Sequence, residues 1–355
     1  MLNDRDPWLA VNLSLFFPGI GQIYAGKTFK GWAFLITHAS LILVGLRLIF
    51  TARGSLAIAL TSLLLATALY IANLFDAFHC LDPQANNPQA EKIPRTHKNP
   101  WFAVFLSRIL PGLGQFYLQK VTLGGLFLGL TIIFSFADDF VPAFSLLTCS
   151  IAALAAYHAY IAFPRKDRNS RGRSLVLVMA IAVLSWGILT RYIPLGLVNY
   201  IEMFVVPSSS MQPTLQIGDR ILVEKLSHYQ PQPGELIVFT APENARTLDP
   251  QNSTNKETFY VKRAIASAGQ TVQISGGLVY VNEQPLQENY LAASPNYELP
   301  PQQIPSNSYW VLGDNRNDSF DSHVWGVLPA ENIIGRAYKI IFPLFRSRSL
   351  LPDQT

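Results

Sequence analysis

The sequence predicts an α-helical membrane domain of about five spans, built from a duplicated unit and followed by a mostly β extramembrane domain. Three observations predict it. Of the 355 residues, 50% are hydrophobic and 14% charged, against roughly 25% charged in an ordinary soluble domain. Pro7-Trp8-Leu9-Ala10-Val11 with Phe17-Pro18-Gly19-Ile20-Gly21-Gln22-Ile23-Tyr24 recurs, at a constant offset of 93 residues, as Pro100-Trp101-Phe102-Ala103-Val104 with Leu110-Pro111-Gly112-Leu113-Gly114-Gln115-Phe116-Tyr117. After Tyr200 the long apolar runs give way to short Val/Ile/Leu/Tyr-rich ones separated by Pro, Gly and Asn, the punctuation of strands.

The elements follow in order. Asp4, Arg5 and Asp6 precede an apolar stretch that runs into Pro18-Gly19 without a small-residue cleavage site, so a retained amino terminus is expected. Residues 1–75 form repeat unit 1, 76–99 a polar linker and 100–163 repeat unit 2. Each unit opens with a segment broken by Pro-Gly-x-Gly, then carries two longer apolar runs: Trp32–Phe50 and Leu56–Phe75, and Gly124–Phe136 and Pro142–Phe163. Runs of about 20 apolar residues span a bilayer, whereas the broken opening segments read as re-entrant or interfacial hairpins. Gly19, Gly21, Gly112 and Gly114 would serve tight turns and close helix contact. The opening segment resembles small bacterial domains with paired membrane helices, which carries no function by itself.

Charge orients the chain. The net charge of +4 divides unevenly: residues 1–200 hold 16 Lys/Arg against 8 Asp/Glu, and 201–355 hold 11 against 15. The basic excess therefore belongs to the membrane half and predicts no nucleic-acid partner. Arg165, Lys166, Arg168, Arg171 and Arg173, in a basic loop over 164–173, precede the anchor 174–200 and read as cytoplasmic. Two spans per unit then put Lys92, Arg95 and Lys98 inside and Asp138 and Asp139 outside, with Arg47 and Arg53 discordant. Cys80 and Cys149 lack spacing partners and read as inert buried thiols.

In the β-rich domain, 201–355, the strands fall at Arg220–Glu224, Glu235–Thr240, Phe259–Ala266, Thr271–Ser275, Leu278–Val281, Tyr309–Leu312 and Gly335–Phe342, with Gly276-Gly277 as a hairpin turn. Ala241–Thr258 is polar and aperiodic and reads as an irregular excursion. Alternation puts Tyr260, Lys262, Ala264 and Ala266 on one strand face and Phe259, Val261, Arg263 and Ile265 on the other. Lys262 is then either an edge strand's protective charge or a buried amine whose lowered pKa suits it to accept a proton.

Two further stretches bear on that choice. Pro207-Ser208-Ser209-Ser210-Met211-Gln212-Pro213-Thr214-Leu215 follows the last long apolar run, with prolines stiffening the backbone on both sides of a candidate nucleophile. Gly313-Asp314-Asn315-Arg316-Asn317-Asp318-Ser319-Phe320-Asp321-Ser322 reads as an Asx-rich turn, or as a turn whose hydroxyls and carboxylates orient a base.

Together, in this order, the serine stretch, Tyr260-Val261-Lys262-Arg263 and Gly313–Ser322 resemble the type I signal peptidases over roughly Leu175–Phe342. The resemblance implies a membrane serine endopeptidase that removes signal peptides from exported precursors. It implies Ser210 as nucleophile, Lys262 as base, Ser208 in the oxyanion hole, Ser319 hydrogen-bonded to the lysine and Asp321 fixing the site, with no cofactor or metal. Precursors would lie extended and offer small residues at the first and third positions before the cut. Partners are therefore signal-peptide-bearing precursors and membrane lipid, and the location is a plasma or thylakoid-type membrane with the catalytic domain extracytoplasmic. The family usually continues after the lysine with Gly-Leu-Pro-Gly-Asp, where this chain has Ala266-Ser267-Ala268-Gly269-Gln270, and usually has Arg where His323 stands. A dedicated protease for one precursor, a relative of self-cleaving repressors and a non-enzymatic membrane module carrying a relic peptidase domain are the alternatives.

The charge pattern predicts four spans before the last, a cytoplasmic amino terminus and everything after Tyr200 on the opposite side. Cysteines introduced at Asn87 and Asn252 should label from opposite sides of the membrane, and labelling from one side refutes the arrangement.

Overall fold

The 93-residue repeat is present in three dimensions as two copies of one helical unit. The structure, a computed structural model, describes residues 5–81, 98–138, 144–163, 170–197, 199–225, 229–248 and 259–352. Most of the linker with Lys92 and Arg95, the expected outer Asp139, and Arg165, Lys166 and Arg168 of the basic loop lie outside the described residues.

In the first copy α1 (Pro7–Ser14) and α2 (Ile20–Tyr24) form the opening hairpin, and α3 (Thr28–Phe50) and α4 (Leu56–His79) follow. The second copy runs α5 (Pro100–Ile109), α6 (Leu113–Tyr117), α7 (Val121–Ala137) and α8 (Phe144–Ile161), before α9 (Ser170–Leu197). The opening helices are too short to cross a hydrocarbon core of about 30 Å at about 1.5 Å per residue. Among the described residues four helices, Thr28–Phe50, Leu56–His79, Phe144–Ile161 and Gly172–Ile193, are long and apolar enough to cross a membrane. Val121–Ala137, with 17 residues, stands at the lower limit for a span, so the expectation of about five spans corresponds to real helices.

The same contacts recur in both copies. Asp6 caps α1 through the Trp8 and Leu9 amides, and Asn99 caps α5 through those of Trp101 and Phe102. Gly19 and Gly112 adopt φ of 97° and 108°; a Cβ at Gly19 would sit 1.9 Å from the Gly31 carbonyl oxygen, and one at Gly112 2.4 Å from that of Gly124. Glycine is required there by both backbone conformation and close approach. Cys80 and Cys149 are free thiols but only half-buried, which corrects the expectation of full burial.

Beyond the helices all strand pairs among the described residues are antiparallel. The larger sheet has the order β1 (Ile201–Val205), β2 (Arg220–Glu224), β11 (Ile333–Phe342), β3 (Leu236–Thr240), β4 (Phe259–Ser267), β9 (Ser308–Leu312) and β10 (Leu328–Pro329), with β12 (Arg348–Ser349) against β11. The smaller has β7 (Gln284–Pro285), β6 (Leu278–Val281), β5 (Thr271–Ser275) and β8 (Leu299–Gln303). Gly276 and Gly277, at φ of 59° and 77°, make the two-residue turn of the β5–β6 hairpin as the sequence predicts. Part of Ala241–Thr258 departs from the irregular reading: Glu243–Leu248 is a helix, α10, held down by buried Ala245 against Ile237, Phe239 and Trp325. Residues 249–258 of that stretch lie outside the described residues.

Two compact units result, Met1–Gly45 with Leu60–Leu195, and Leu46–Ala59 with Gly196–Thr355. The second thus contains the turn after α3, and one residue explains the grouping. Lys339 on β11 is fully buried, and its Nζ donates to the carbonyls of Leu48, Ile49, Thr51 and Gly54 at 2.8–3.0 Å. These are carbonyls at a helix C-terminus, unpaired within the helix and favourable to a cation. Lys339→Met should destabilise this unit by about 2 kcal/mol or more, because buried acceptors lose a charged donor. A thermal midpoint of the full chain lowered by several degrees checks this, and an unchanged midpoint refutes it.

Candidate active site

Lys262 is held on a central strand. β4 pairs with β3 on one side, where Ile237 faces Lys262, and with β9 on the other, so the protective-edge reading fails. A central strand in a closed core has both faces covered: Ala264 is buried beside Lys262, and the lysine itself is 2% exposed. A β-bulge after Ala264 in the pairing with β9 turns Ala266 to the other face with Ile265 and Trp310, which corrects the unbroken alternation expected from the sequence. Burial pushes its ammonium down to about 8, against the Asp321, Asp314 and Asp318 carboxylates, whose charge favours the protonated form.

Ser210 reaches it from a different direction. The chain leaves β1 and turns through Ser209–Met211, where Met211 and Leu215 are sunk in the core with Val206, Ile221 and Val238. This apolar anchoring fixes the intervening Ser210, 7% exposed. Lys262 Nζ donates to Ser210 Oγ at 2.6 Å and to Ser319 Oγ at 3.1 Å. In the neutral amine the first contact reverses, with the serine hydroxyl donating to the nitrogen lone pair. Ser208, on the exposed side, brings its Oγ to 3.2 Å from Ser210 Oγ. Ser208, Ser210, Lys262 and Ser319 thus line one cleft of about 460 Å³, with Tyr260 and Asp318.

Asp321 does not touch the lysine. It lies fully buried behind the cleft, accepting from the Gly313 amide at 2.8 Å and pairing with His323 Nδ1 at 2.8 Å. The His323 ring stacks on Tyr297 at 4.2 Å. The other departure from the family pattern is also accommodated, since Gln270 Oε1 accepts from the Ser267 amide at 2.8 Å and so closes the turn after β4.

Several residues of the site carry no assignment in the sequence reading. Arg263, on the strand face opposite Lys262, grips Asp314 with Nε and Nη2 at 2.7 and 2.6 Å and covers the Tyr290 ring at 3.7 Å. Arg316, 1% exposed, pairs with Glu288 through two nitrogens and donates to the Gly313 carbonyl. The partners lie 51 and 28 residues apart in sequence, so no local pattern announces them. The Asn315 amide donates to the Ser210 carbonyl at 3.0 Å, joining the last stretch to the first.

The chain matches the family model for signal peptidase, peptidase S26, over residues 173–342. It is 44% identical to signal peptidase I of Leptolyngbya laminosa over 167 residues, 46% of this chain and 80% of that one. It is 49% identical to the probable signal peptidase I-1 of Synechocystis over 143 residues, 40% of this chain and 71% of that one. With thylakoidal processing peptidase 1 of Arabidopsis thaliana it shares 40% over 134 residues, 37% of this chain and 39% of that one.

Gly313 sits where the stretches converge. A Cβ there would lie 2.2 Å from Ser319 Oγ and 2.5 Å from the Ser210 carbonyl oxygen. Gly313→Ala should therefore lower kcat/KM by about 100-fold, the effect of a displacement near 1 Å. Assaying the purified variant on a precursor checks this, and wild-type kcat/KM refutes it.

Proposed function

Because the chain belongs to the signal peptidases of family S26, membrane-bound serine endopeptidases that remove signal peptides from exported precursors, we propose that Ser210 is its nucleophile and Lys262 its general base. The observation that carries this is the 2.6 Å contact between Ser210 Oγ and an amine buried at the centre of a sheet. An ammonium has no lone pair, so a lysine base must be neutral part of the time at working pH. Burial supports that here.

In the first step Lys262 takes the hydroxyl proton while Ser210 Oγ bonds to the carbonyl carbon before the cut. The oxyanion receives the Ser208 hydroxyl and the Ser210 backbone N–H. Lys262 then hands its proton to the leaving amine, and the C–N bond breaks to release the mature chain. A water deprotonated by the same amine attacks the acyl-enzyme and frees Ser210. Ser319 holds the amine toward Ser210 between steps, and Asp321 acts through Gly313 by fixing the final stretch. The relic reading finds no support in a site whose buried amine keeps both serine partners. The charge pattern supports an extracytoplasmic site.

The pH dependence follows from the sign of the shift. Lys262 is protonated and inactive below its lowered pKa, so kcat/KM should fall about tenfold per pH unit below about 8. Lys262→Ala and Lys262→Arg should both lose about 1000-fold or more, since guanidinium does not deprotonate in this range. The acidic limb should vanish from the residual rate of Lys262→Ala. Substantial cleavage by the Arg variant would remove Lys262 from the role of base.

A further inference from the structure

The first compact unit contains a cavity of about 670 Å³ that the peptidase chemistry does not use. His38 of α3, Tyr70 of α4 and Trp186 of α9 contribute to its wall, each from near mid-length of a long apolar helix. Phe16 and Phe17, just beyond α1, and Arg108, in the last turn of α5, line it as well. The volume falls within the range of small-ligand sites.

Arg108 is the only Lys, Arg, Asp or Glu among the described lining residues, and among the described residues it forms no ion pair. Nη1 donates to the Asn12 carbonyl at 2.5 Å, and the guanidinium lies 4.0 Å over the Phe16 ring. Five N–H donors with one such bond leave a fork unsatisfied. The 93-residue repeat puts Leu15 at the corresponding position of the first unit, so the charge departs from the duplicated pattern. An unpaired cation among membrane helices is costly and marks a site for a counter-charge.

We propose that this cavity binds an acidic phospholipid, its phosphate gripped by Arg108 and one acyl chain lying along the apolar wall. A guanidinium matches phosphate oxygens in a bidentate fork, and the wall suits a hydrocarbon chain. Charge complementarity selects this occupant over a precursor's signal segment, which is apolar but carries a basic end that Arg108 repels.

The test uses the full chain in non-ionic detergent with phosphatidylglycerol, phosphatidylcholine of the same chains, inorganic phosphate or a synthetic signal segment. Native mass spectrometry should show phosphatidylglycerol retained about tenfold more tightly than phosphatidylcholine, with the thermal midpoint raised by phosphatidylglycerol alone. Arg108→Leu, which installs the residue of the first unit, should bring the ratio close to one, and Arg108→Lys should keep part of it. Should Arg108→Leu misfold by circular dichroism, wild-type Trp186 fluorescence decides instead: brominated phosphatidylglycerol should quench it more than brominated phosphatidylcholine, with Trp186→Phe as reference. Equal retention or equal quenching of the two lipids overturns the proposal. So does undiminished selectivity in a folded Arg108→Leu variant, equal stabilisation by inorganic phosphate, or displacement of the lipid by the signal segment.

Discussion

A primary amine buried in the middle of a β-sheet is the constraint on which the rest of the second unit depends. Desolvation disfavours the ammonium, and only a closed environment supplies enough of it. β3 and β9 must therefore flank the strand, Ala264 must be small enough to share its face, and the serine stretch must cover what remains. The carboxylates that organise the neighbourhood oppose this, because each favours the charged lysine. Their placement resolves the conflict. Asp314 and Asp321 are bound to other partners and make no hydrogen bond to Nζ, so among the described residues the amine meets two hydroxyls.

Asp314 and Asp321 are instead spent on the backbone of the final stretch. Asp314 is locked to Arg263, and Asp321 holds the Gly313 amide and His323. Arg316 ties the same loop to Glu288 and to the Gly313 carbonyl. Breaking a buried pair by removing one partner leaves a stranded charge, worth about 3–5 kcal/mol. The stretch is consequently positioned by charge pairs rather than by regular hydrogen-bonded structure, and Ser319 inherits that precision. His323 fills the place where the family commonly has arginine: its Nδ1 reaches Asp321, and stacking on Tyr297 orients the ring.

Legibility in the sequence tracked the range of the interactions. Strands with a compact apolar run, such as β2, or clear alternation, such as β5, were readable to the residue, as was the Gly276-Gly277 turn. β8 was not: Leu299-Pro300-Pro301-Gln302-Gln303 has two prolines and no apolar face, and it is a strand only because β5 offers it a partner along one side. Helix α10 escaped for a similar reason, since one buried alanine decides it. At the site, Ser210, Lys262 and Ser319 could be named from motifs, while the Arg263–Asp314 and Arg316–Glu288 pairs arise only when distant segments meet. Lys339 belongs to this class as well. A lysine in an apolar strand reads as a snorkelling surface residue, and nothing local tells that carbonyls almost three hundred residues earlier receive it.

The duplicated helices show what fusing two copies into one chain permits. Asp6 and Asn99 occupy equivalent capping positions, and Asn99 Nδ2 donates to Asp6 Oδ2 at 2.7 Å across the contact between the copies. Two aspartates there would place carboxylates at hydrogen-bond distance without a proton between them, and both would be driven away from their helix caps. A symmetric pair of identical units has no way to make this contact from unlike residues, because any substitution appears on both sides. A fused pair does, since each copy changes alone. Asn12 exploits the same freedom: its Nδ2 donates both to the Trp8 carbonyl of its own helix and to Trp101 of the other copy, while the second copy has Phe105 at that position. The glycines that build each unit are therefore alike in the two copies, whereas residues at the contact between them, Asp6 and Asn99 or Asn12 and Phe105, differ.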